Sequence, residues 1–239
     1  MEPEKARHQI QEYNLLFSGA GPEEVLAFFL EKYGQKLTFS TSLGAEDQVI
    51  THMLSSISKD FSIFTLDTGR LFPETLDLID KTNKRYGISI KIFFPDSAQV
   101  ESMVNAKGIN LFYESIENRK ECCHIRKIVP MRRALRGAEA WISGLRAEQS
   151  VTRKGLQAVE WDKNFNLIKI NPLRDWTEEM LWDYIRSNNI PYNPLHDKGY
   201  PSIGCQPCTR AVGPDEDVRA GRWWWELPEM KECGLHRKD

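Results

Sequence analysis

The sequence predicts an α/β protein with a mostly parallel, twisted sheet flanked by helices, and three observations carry that prediction. Short apolar runs alternate with helical patterns of roughly ten to fifteen residues. Glycine or proline marks several of the junctions. One pair of strand-like runs is separated only by the turn-prone Lys163-Asn164-Phe165-Asn166. Such alternation implies βαβ units with right-handed crossovers, plus one hairpin.

Residues 5–33 read as two helices split by Ser18-Gly19-Ala20-Gly21-Pro22, with Val25, Phe28, Phe29 and Tyr33 at helical spacing. A strand at 37–40 leads through Thr41-Ser42-Leu43-Gly44 into a helix at 45–58. A strand at 61–66, a helix that Pro73 opens and Gly87 stops, and a strand at 88–94 follow. Helices are expected at 97–107 and 118–135, a strand at 140–143, and a hairpin of 159–162 with 167–170 at the sheet edge. In the last helix, 176–188, Trp176, Met180, Leu181, Tyr184 and Ile185 are expected to face inward. Beyond Asn189, Pro191, Pro194, Pro201, Pro207 and Pro214 break regular structure, while Tyr192, Tyr200 and Trp223-Trp224-Trp225 argue for order. The organisation is a lead-in at 1–34, an α/β domain at 35–189 and an irregular segment with a mobile tail at 190–239, integrated into one domain.

The chain has 239 residues, 41% hydrophobic and 28% charged, with a formal charge of -2. Nucleic acid and anionic membranes are poor partners for such a balance. No window approaches the ~18 apolar residues of a membrane span, and the polar start Met1-Glu2-Pro3-Glu4-Lys5 lacks the order of a secretory signal. A cytoplasmic location is expected. Reduced thiols prevail there, so Cys122, Cys123, Cys205, Cys208 and Cys233 point to metal binding or catalysis rather than disulfides.

Ligands of open α/β sheets bind beyond the carboxyl ends of the strands. The first such loop, Ser40 to Asp47, has hydroxyls and Gly44 that suit an anion at a helix start; a plain N-cap with acidic residues reads equally well. Leu66-Asp67-Thr68-Gly69-Arg70 ends the second strand, and Ser143-Gly144-Leu145-Arg146 ends the fourth, with Gln149, Ser150 and Arg153 after it. Neither the Walker A spacing nor Gly-x-Gly-x-x-Gly occurs.

Cys205-Gln206-Pro207-Cys208 and the vicinal Cys122-Cys123 could hold either a structural zinc or an iron–sulfur cluster. Adjacent helical cysteines diverge by roughly 100°, which a wide cluster tolerates better than one tetrahedral ion. His124, Arg126 and Lys127 follow on the same helix. Lys127, four residues after Cys123, shares its face and belongs beside the cluster, whereas Arg132, Arg133 and Arg136 read as a solvated face. Arg219 and Arg222 are three apart, and on a helical turn both would face one anion; the plainer reading is a surface turn. His8, His52 and His196 read as surface or packing residues, and the three tryptophans as filling beside the cluster.

Ser42-Leu43-Gly44-Ala45-Glu46-Asp47, Leu66-Asp67-Thr68-Gly69-Arg70, Glu121-Cys122-Cys123, Ser143-Gly144-Leu145-Arg146, Gly204-Cys205-Gln206-Pro207-Cys208-Thr209 and Glu232-Cys233-Gly234-Leu235-His236 together resemble the assimilatory adenylyl-sulfate reductases, within the phosphoadenylyl-sulfate reductase group. The resemblance runs from about residue 35 onward. It implies an adenine nucleotide α-hydrolase-like fold and a [4Fe-4S] cluster on Cys122, Cys123, Cys205 and Cys208. It also implies thioredoxin-dependent reduction of adenosine 5′-phosphosulfate (APS) to sulfite and AMP. Relatives specific for the 3′-phosphorylated nucleotide (PAPS) lack the cluster cysteines, so APS is favoured, with PAPS or dual specificity as the alternative. The fused thioredoxin-like domain of plant-type relatives does not follow Asp239, so a separate thioredoxin is expected. The resemblance is also compatible with a homo-oligomer.

By the same resemblance Cys233 is the nucleophile that forms an S-sulfonate, with Lys127, Arg219, Arg222 and His236 around the phosphosulfate and Arg153 a weaker candidate. Ser42 binds through the modified phosphate loop, Leu66 and Gly144 hold the adenine through backbone groups, and Thr68, Gly69 and Arg70 form the same nucleotide wall. Two rivals are weaker. An ATP-pyrophosphatase would carry Ser-Gly-Gly-x-Asp-Ser at the first loop, and a zinc-stabilised binding module would leave Cys233 incidental.

Overall fold

The apolar runs become six strands: β1 (Leu37–Ser40), β2 (Ser62–Leu66), β3 (Lys91–Phe93), β4 (Ala140–Ile142), β5 (Val159–Asp162) and β6 (Leu167–Ile170). The computed structural model describes residues 3–149, 153 and 155–227, with side chains from residue 7 onward. The strands lie in the order β3-β2-β1-β4-β6-β5. β1 pairs in parallel with β2 and with β4, and β4 with β6. Only the expected hairpin partner, β5, runs antiparallel to β6, at the sheet edge. The chain divides into two units, one comprising 1–64, 77–91 and 137–193, the other 65–76, 92–136 and 194–239.

In the first unit, helices α1 (Pro3–Leu16), α2 (Pro22–Tyr33), α3 (Ala45–Ile57) and α8 (Glu178–Ser187) surround the core. Val25, Leu26 and Phe29 of α2 and Val49, Ile50 and Leu54 of α3 are buried with Phe39, Ile142 and Ile170 from the sheet. β1, β4 and β6 are buried on both faces, as parallel strands covered by helices are, and Thr38 and Lys169 are buried with their apolar neighbours. The edge strand β5 is closed by a side chain: Asn14 Nδ2 donates to the Val159 carbonyl at 2.9 Å, and its Oδ1 accepts from the Val159 N–H at 3.0 Å. That amide satisfies one residue of an edge that would otherwise recruit another strand.

α8 differs from the sequence reading at one position. Leu181 and Ile185 are buried, but Met180 is 47% exposed. The stripe is centred on Leu181 and Ile185, with half-buried Trp182 and Tyr184 beside it, so Met180 falls outside it. The third strand is also shorter than 88–94. Before Lys91 the backbone is held by Asn83, whose carbonyl accepts from Ile88 N–H at 3.2 Å and whose side chain accepts from Ile90 N–H at 3.0 Å.

Helix α4 (Pro73–Tyr86) begins in the second unit and ends in the first. Within the second unit lie α5 (Ser97–Lys107), α6 (Ile116–Cys123) and α7 (Val129–Ala134). The helix expected over 118–135 is interrupted by a π-turn at His124–Ile128. Val129 N–H bonds the carbonyl of His124, five residues back. Pro130 supplies the cause: it has no N–H to offer the Arg126 carbonyl, so the regular ladder fails there. A small apolar cluster of Met103, Leu111, Phe112 and Trp223 packs with Cys205 and Cys208.

Candidate functional site

Along the sheet the chain steps outward from β1 to β2 to β3, then returns to start β4 on the other side of β1. The β1–β4 junction is the switch point at which such sheets open a ligand crevice. Two loops meet there. Buried Leu43 takes a positive φ of 61° between them, an unusual angle for a branched residue and one that clusters at functional loops. The turn presents Ser42 to α3, where Asp47 Oδ2 accepts from its backbone N–H at 2.5 Å and from its hydroxyl at 2.7 Å.

The anion that these donors meet in this structure is therefore the chain's own carboxylate. Burial pushes the Asp47 carboxyl up to about 7, although both Ser42 bonds pull the other way. On the opposite loop, a Cβ at Gly144 would lie 2.1 Å from Asp47 Oδ1, so only glycine fits. Beside it Arg146 pairs with Glu46 at 2.9 Å and Glu148 at 2.9 Å, and Gln149 donates to Glu46 at 2.8 Å. Buried Arg153 donates to Gln149. Of the expected substrate residues, Ser42 and Gly144 thus share Asp47, and Arg153 joins the neighbouring network.

In the second unit Cys122, Cys123, Cys205 and Cys208 all line one cavity of about 370 Å³, counted with its open mouth. Arg70, Arg119, Arg126, Lys127, Phe112 and Trp223 complete its wall. α6 delivers the vicinal pair on its last turn, and Pro207 inside a short 3-10 turn folds the C-x-x-C back so that Cys208 N–H meets the Cys205 carbonyl at 2.9 Å. All four thiols are free. Burial, then the neighbouring Cys205, pushes the Cys208 thiol up to about 12. Burial likewise raises Cys122, with Arg126 pulling it down. Buried thiols resist ionisation, and Arg126 and Lys127 beside them offset only part of that cost.

Among the described residues no three Cys, His, Asp or Glu side chains converge on a point that would suit one ion. The cavity wall holds all four thiols. It also offers an acceptor-seeking donor: the Trp223 indole N–H is buried and has no partner among the described residues. The Arg119 guanidinium stacks 4.7 Å over the Trp223 ring and forks onto Glu226 at 2.9 and 2.7 Å, fixing that ring from behind.

The loop after β2 is built against the same cavity. Thr68 Oγ1 lies 3.2 Å from Cys205 Sγ, and Gln206 N–H donates to the Arg70 carbonyl at 2.8 Å. Gly69 has φ 69°, and the Arg70 guanidinium bonds the Ile109 carbonyl and Asn110 Oδ1 at 3.1 and 2.9 Å. Leu66 stands half-buried at the end of β2. Arg219 and Arg222 close one turn, with the Arg222 N–H donating to the Arg219 carbonyl at 2.9 Å, but the turn does not continue as a helix. Arg219 sits in a turn whose N–H is held by Asp217 at 2.8 Å, and Arg222 forms a bridge with Thr209. The Arg222 guanidinium lies 4.8 Å from the Trp223 ring centroid and so close to Gly204 that a Cβ there would be 2.3 Å away. The intervening Gly221 lies against the Arg210 carbonyl, 2.2 Å from where a Cβ would stand, and its own carbonyl accepts from the Arg210 N–H at 3.0 Å rather than from a following helical turn.

Cys233 and His236 lie outside the described residues. Asp47, Arg119 and Glu226 had no functional reading from sequence; an acid three residues past a glycine at a helix start was the available signal for Asp47. No helix among the described residues is long and apolar enough to cross a membrane.

Sheet order, switch-point loops and cavity define an adenine nucleotide α-hydrolase-like α/β protein. Its fold is similar to that of yeast FAD synthetase in complex with FAD, at TM-score 0.57 and 15% identity, covering 80% of this chain and 66% of that one. Residues 36–211 match the phosphoadenosine phosphosulfate reductase domain, and the chain belongs to that family. A phosphoadenylyl-sulfate (PAPS) reductase from Candida auris, in a phosphate complex, is similar at TM-score 0.74 and 29% identity, covering 89% of this chain and 98% of that one. The adenosine 5′-phosphosulfate reductase of Allochromatium vinosum is 54% identical over 203 residues, 85% of this chain and 79% of that protein. The protein of the same name from Neisseria meningitidis serogroup B is 47% identical over 230 residues, 92% of this chain and 94% of that one.

Proposed function

We propose that this chain is an oxidoreductase that reduces adenosine 5′-phosphosulfate to sulfite and AMP in assimilatory sulfate reduction, with thioredoxin as reductant. Relatives about half identical over most of the chain carry that substrate in their names. The observation that carries the reading is the cavity lined by all four cysteines, since the resemblance ties those cysteines to the APS branch. Cys122, Cys123, Cys205 and Cys208 would hold a [4Fe-4S] group there, which supplies fixed geometry and a local charge.

The Cys233 thiolate attacks the sulfur of the phosphosulfate. The S–O bond to AMP breaks, AMP leaves with that electron pair, and a cysteine S-sulfonate remains. A thioredoxin thiolate then attacks Cys233 Sγ and expels sulfite; its second thiol closes the thioredoxin disulfide and returns Cys233 as thiolate. Two electrons pass from the dithiol to sulfur. Both partners of the first step are anionic, so cations must offset their repulsion and favour the thiolate. Lys127, Arg219, Arg222 and His236 are proposed for that task, and Ser42, Leu66, Thr68, Gly69, Arg70, Gly144 and Arg153 for the nucleotide. The reaction is expected in the cytoplasm, where thioredoxin is reduced.

A second reading is favoured by the Candida auris likeness, whose protein is named for PAPS. Sulfite release from APS and from PAPS, each with reduced thioredoxin, separates the two. APS is expected to be turned over at least about tenfold faster, which is about 1.4 kcal/mol of discrimination. Equal rates overturn the preference.

A further inference from the structure

Arg126 was read from sequence only as a neighbour of the thiols, yet it is buried and lies against two structures at once. Its Nη1 donates to the Thr68 carbonyl at 2.6 Å, and with Cys122, four residues back, it lines the thiol cavity. Gly69, the next residue of the loop, is so near that a Cβ there would lie 3.3 Å from Nη1. The remaining loop contacts run to the other cysteine segment: Thr68 Oγ1 to Cys205 Sγ at 3.2 Å, and the Arg70 carbonyl to Gln206 N–H at 2.8 Å. Arg70 N–H closes back on Thr68 Oγ1 at 3.2 Å. Thr68 and Arg70 are therefore tied directly to segments that carry the cysteines, and Gly69 lies against Arg126. The π-turn at His124–Ile128 carries Arg126, and such turns re-aim side chains at functional sites.

We propose that Arg126 is a positioning residue that couples the filling of the thiol cavity to the binding of nucleotide, by holding the Thr68-Gly69-Arg70 loop in register with Cys122. This rests on the proposed function, in which that loop is part of the nucleotide wall. A guanidinium is suited to the task because its planar fork can hold the Thr68 carbonyl while its charge stays on the thiol wall, whereas a lysine ammonium is a point donor on a flexible stem. Coupling is reciprocal: if the filled cavity favours nucleotide, nucleotide must favour the filled cavity by the same factor.

The test uses the whole iron-loaded protein and its Arg126→Lys and Arg126→Gln variants. Absorbance near about 400 nm per chain reports cluster content. AMP affinity is measured by titration, and bleaching by an iron chelator is followed with and without saturating AMP. Wild type is expected to bleach several-fold more slowly with AMP. Both variants should start with wild-type absorbance, bind AMP about tenfold more weakly, as for one lost charge-assisted bond, and lose the protection by AMP. A merely structural role would lower stability and cluster content together. Undiminished AMP affinity, retained protection, or variants isolated without the absorbance each overturn the proposal. Failure of the functional reading is separately visible, because wild type would then release no sulfite from APS.

Discussion

Asp47 accepts both the backbone N–H and the hydroxyl of Ser42, at 2.5 and 2.7 Å, from a site in which burial raises its own carboxyl to about 7. The carboxylate holds the loop's turn while paying a desolvation cost, so its protonation state is written into stability. The folded chain holds this proton more tightly than the unfolded chain, whose carboxyl titrates near 3.8. Its contribution is fully present below that value, is lost as pH rises toward about 7, and is constant above. Asp47→Asn keeps an acceptor for Ser42 without the charge. Urea unfolding at about pH 5 and about pH 8 should show wild type losing more stability than the variant across that interval. Equal losses contradict this account of the loop.

Arg119 and Glu226 form a bidentate pair in which each side chain is 2% exposed. Glu226→Gln leaves a guanidinium buried without its counter-charge and should cost about 3–5 kcal/mol in denaturant unfolding. Replacing both partners, as Arg119→Met with Glu226→Leu, should restore most of that loss, because two desolvated charges disappear together. A single-variant loss below about 1 kcal/mol would mean the pair is relaxed or hydrated in solution.

Lys127 lines the thiol cavity, and its charge lowers the cost of ionising Cys208. In the proposed reaction it offsets negative charge on the substrate. Lys127→Ala should reduce kcat by about a hundredfold, the scale of one lost electrostatic partner, while visible absorbance per chain is kept. Unchanged kcat removes Lys127 from the mechanism, and loss of absorbance reassigns it to holding the cysteine group.

Much of the fold was legible because its signals are local. Leu37–Ser40, the hairpin and Pro73–Tyr86 are bounded by turn residues that act within a few positions. The cysteines were legible as a set because a cysteine is rare and its alternatives are few. What was hidden depends on distance along the chain. Arg119 and Glu226 are 107 residues apart, and nothing in either neighbourhood announces a partner. Asp47 was quoted within a motif, but its burial against Gly144 exists only once β1 and β4 are neighbours. The π-turn needed Pro130, inside the helix expected over 118–135, to be read as perturbing the turn before it. Met180 was assigned inward because helical spacing names a stripe but not its centre.

The central claim is covalent catalysis by Cys233, and one measurement reaches it directly. Wild-type protein and Cys233→Ser, both with full visible absorbance, are mixed with APS in the absence of thioredoxin and digested for peptide mass analysis. The account predicts one added SO3 group on the wild-type peptide carrying Cys233, release of an equivalent of AMP, discharge of sulfite when reduced thioredoxin is added, and no adduct in the variant. AMP and sulfite formed by Cys233→Ser at the wild-type rate, or an adduct on any other cysteine, would contradict it.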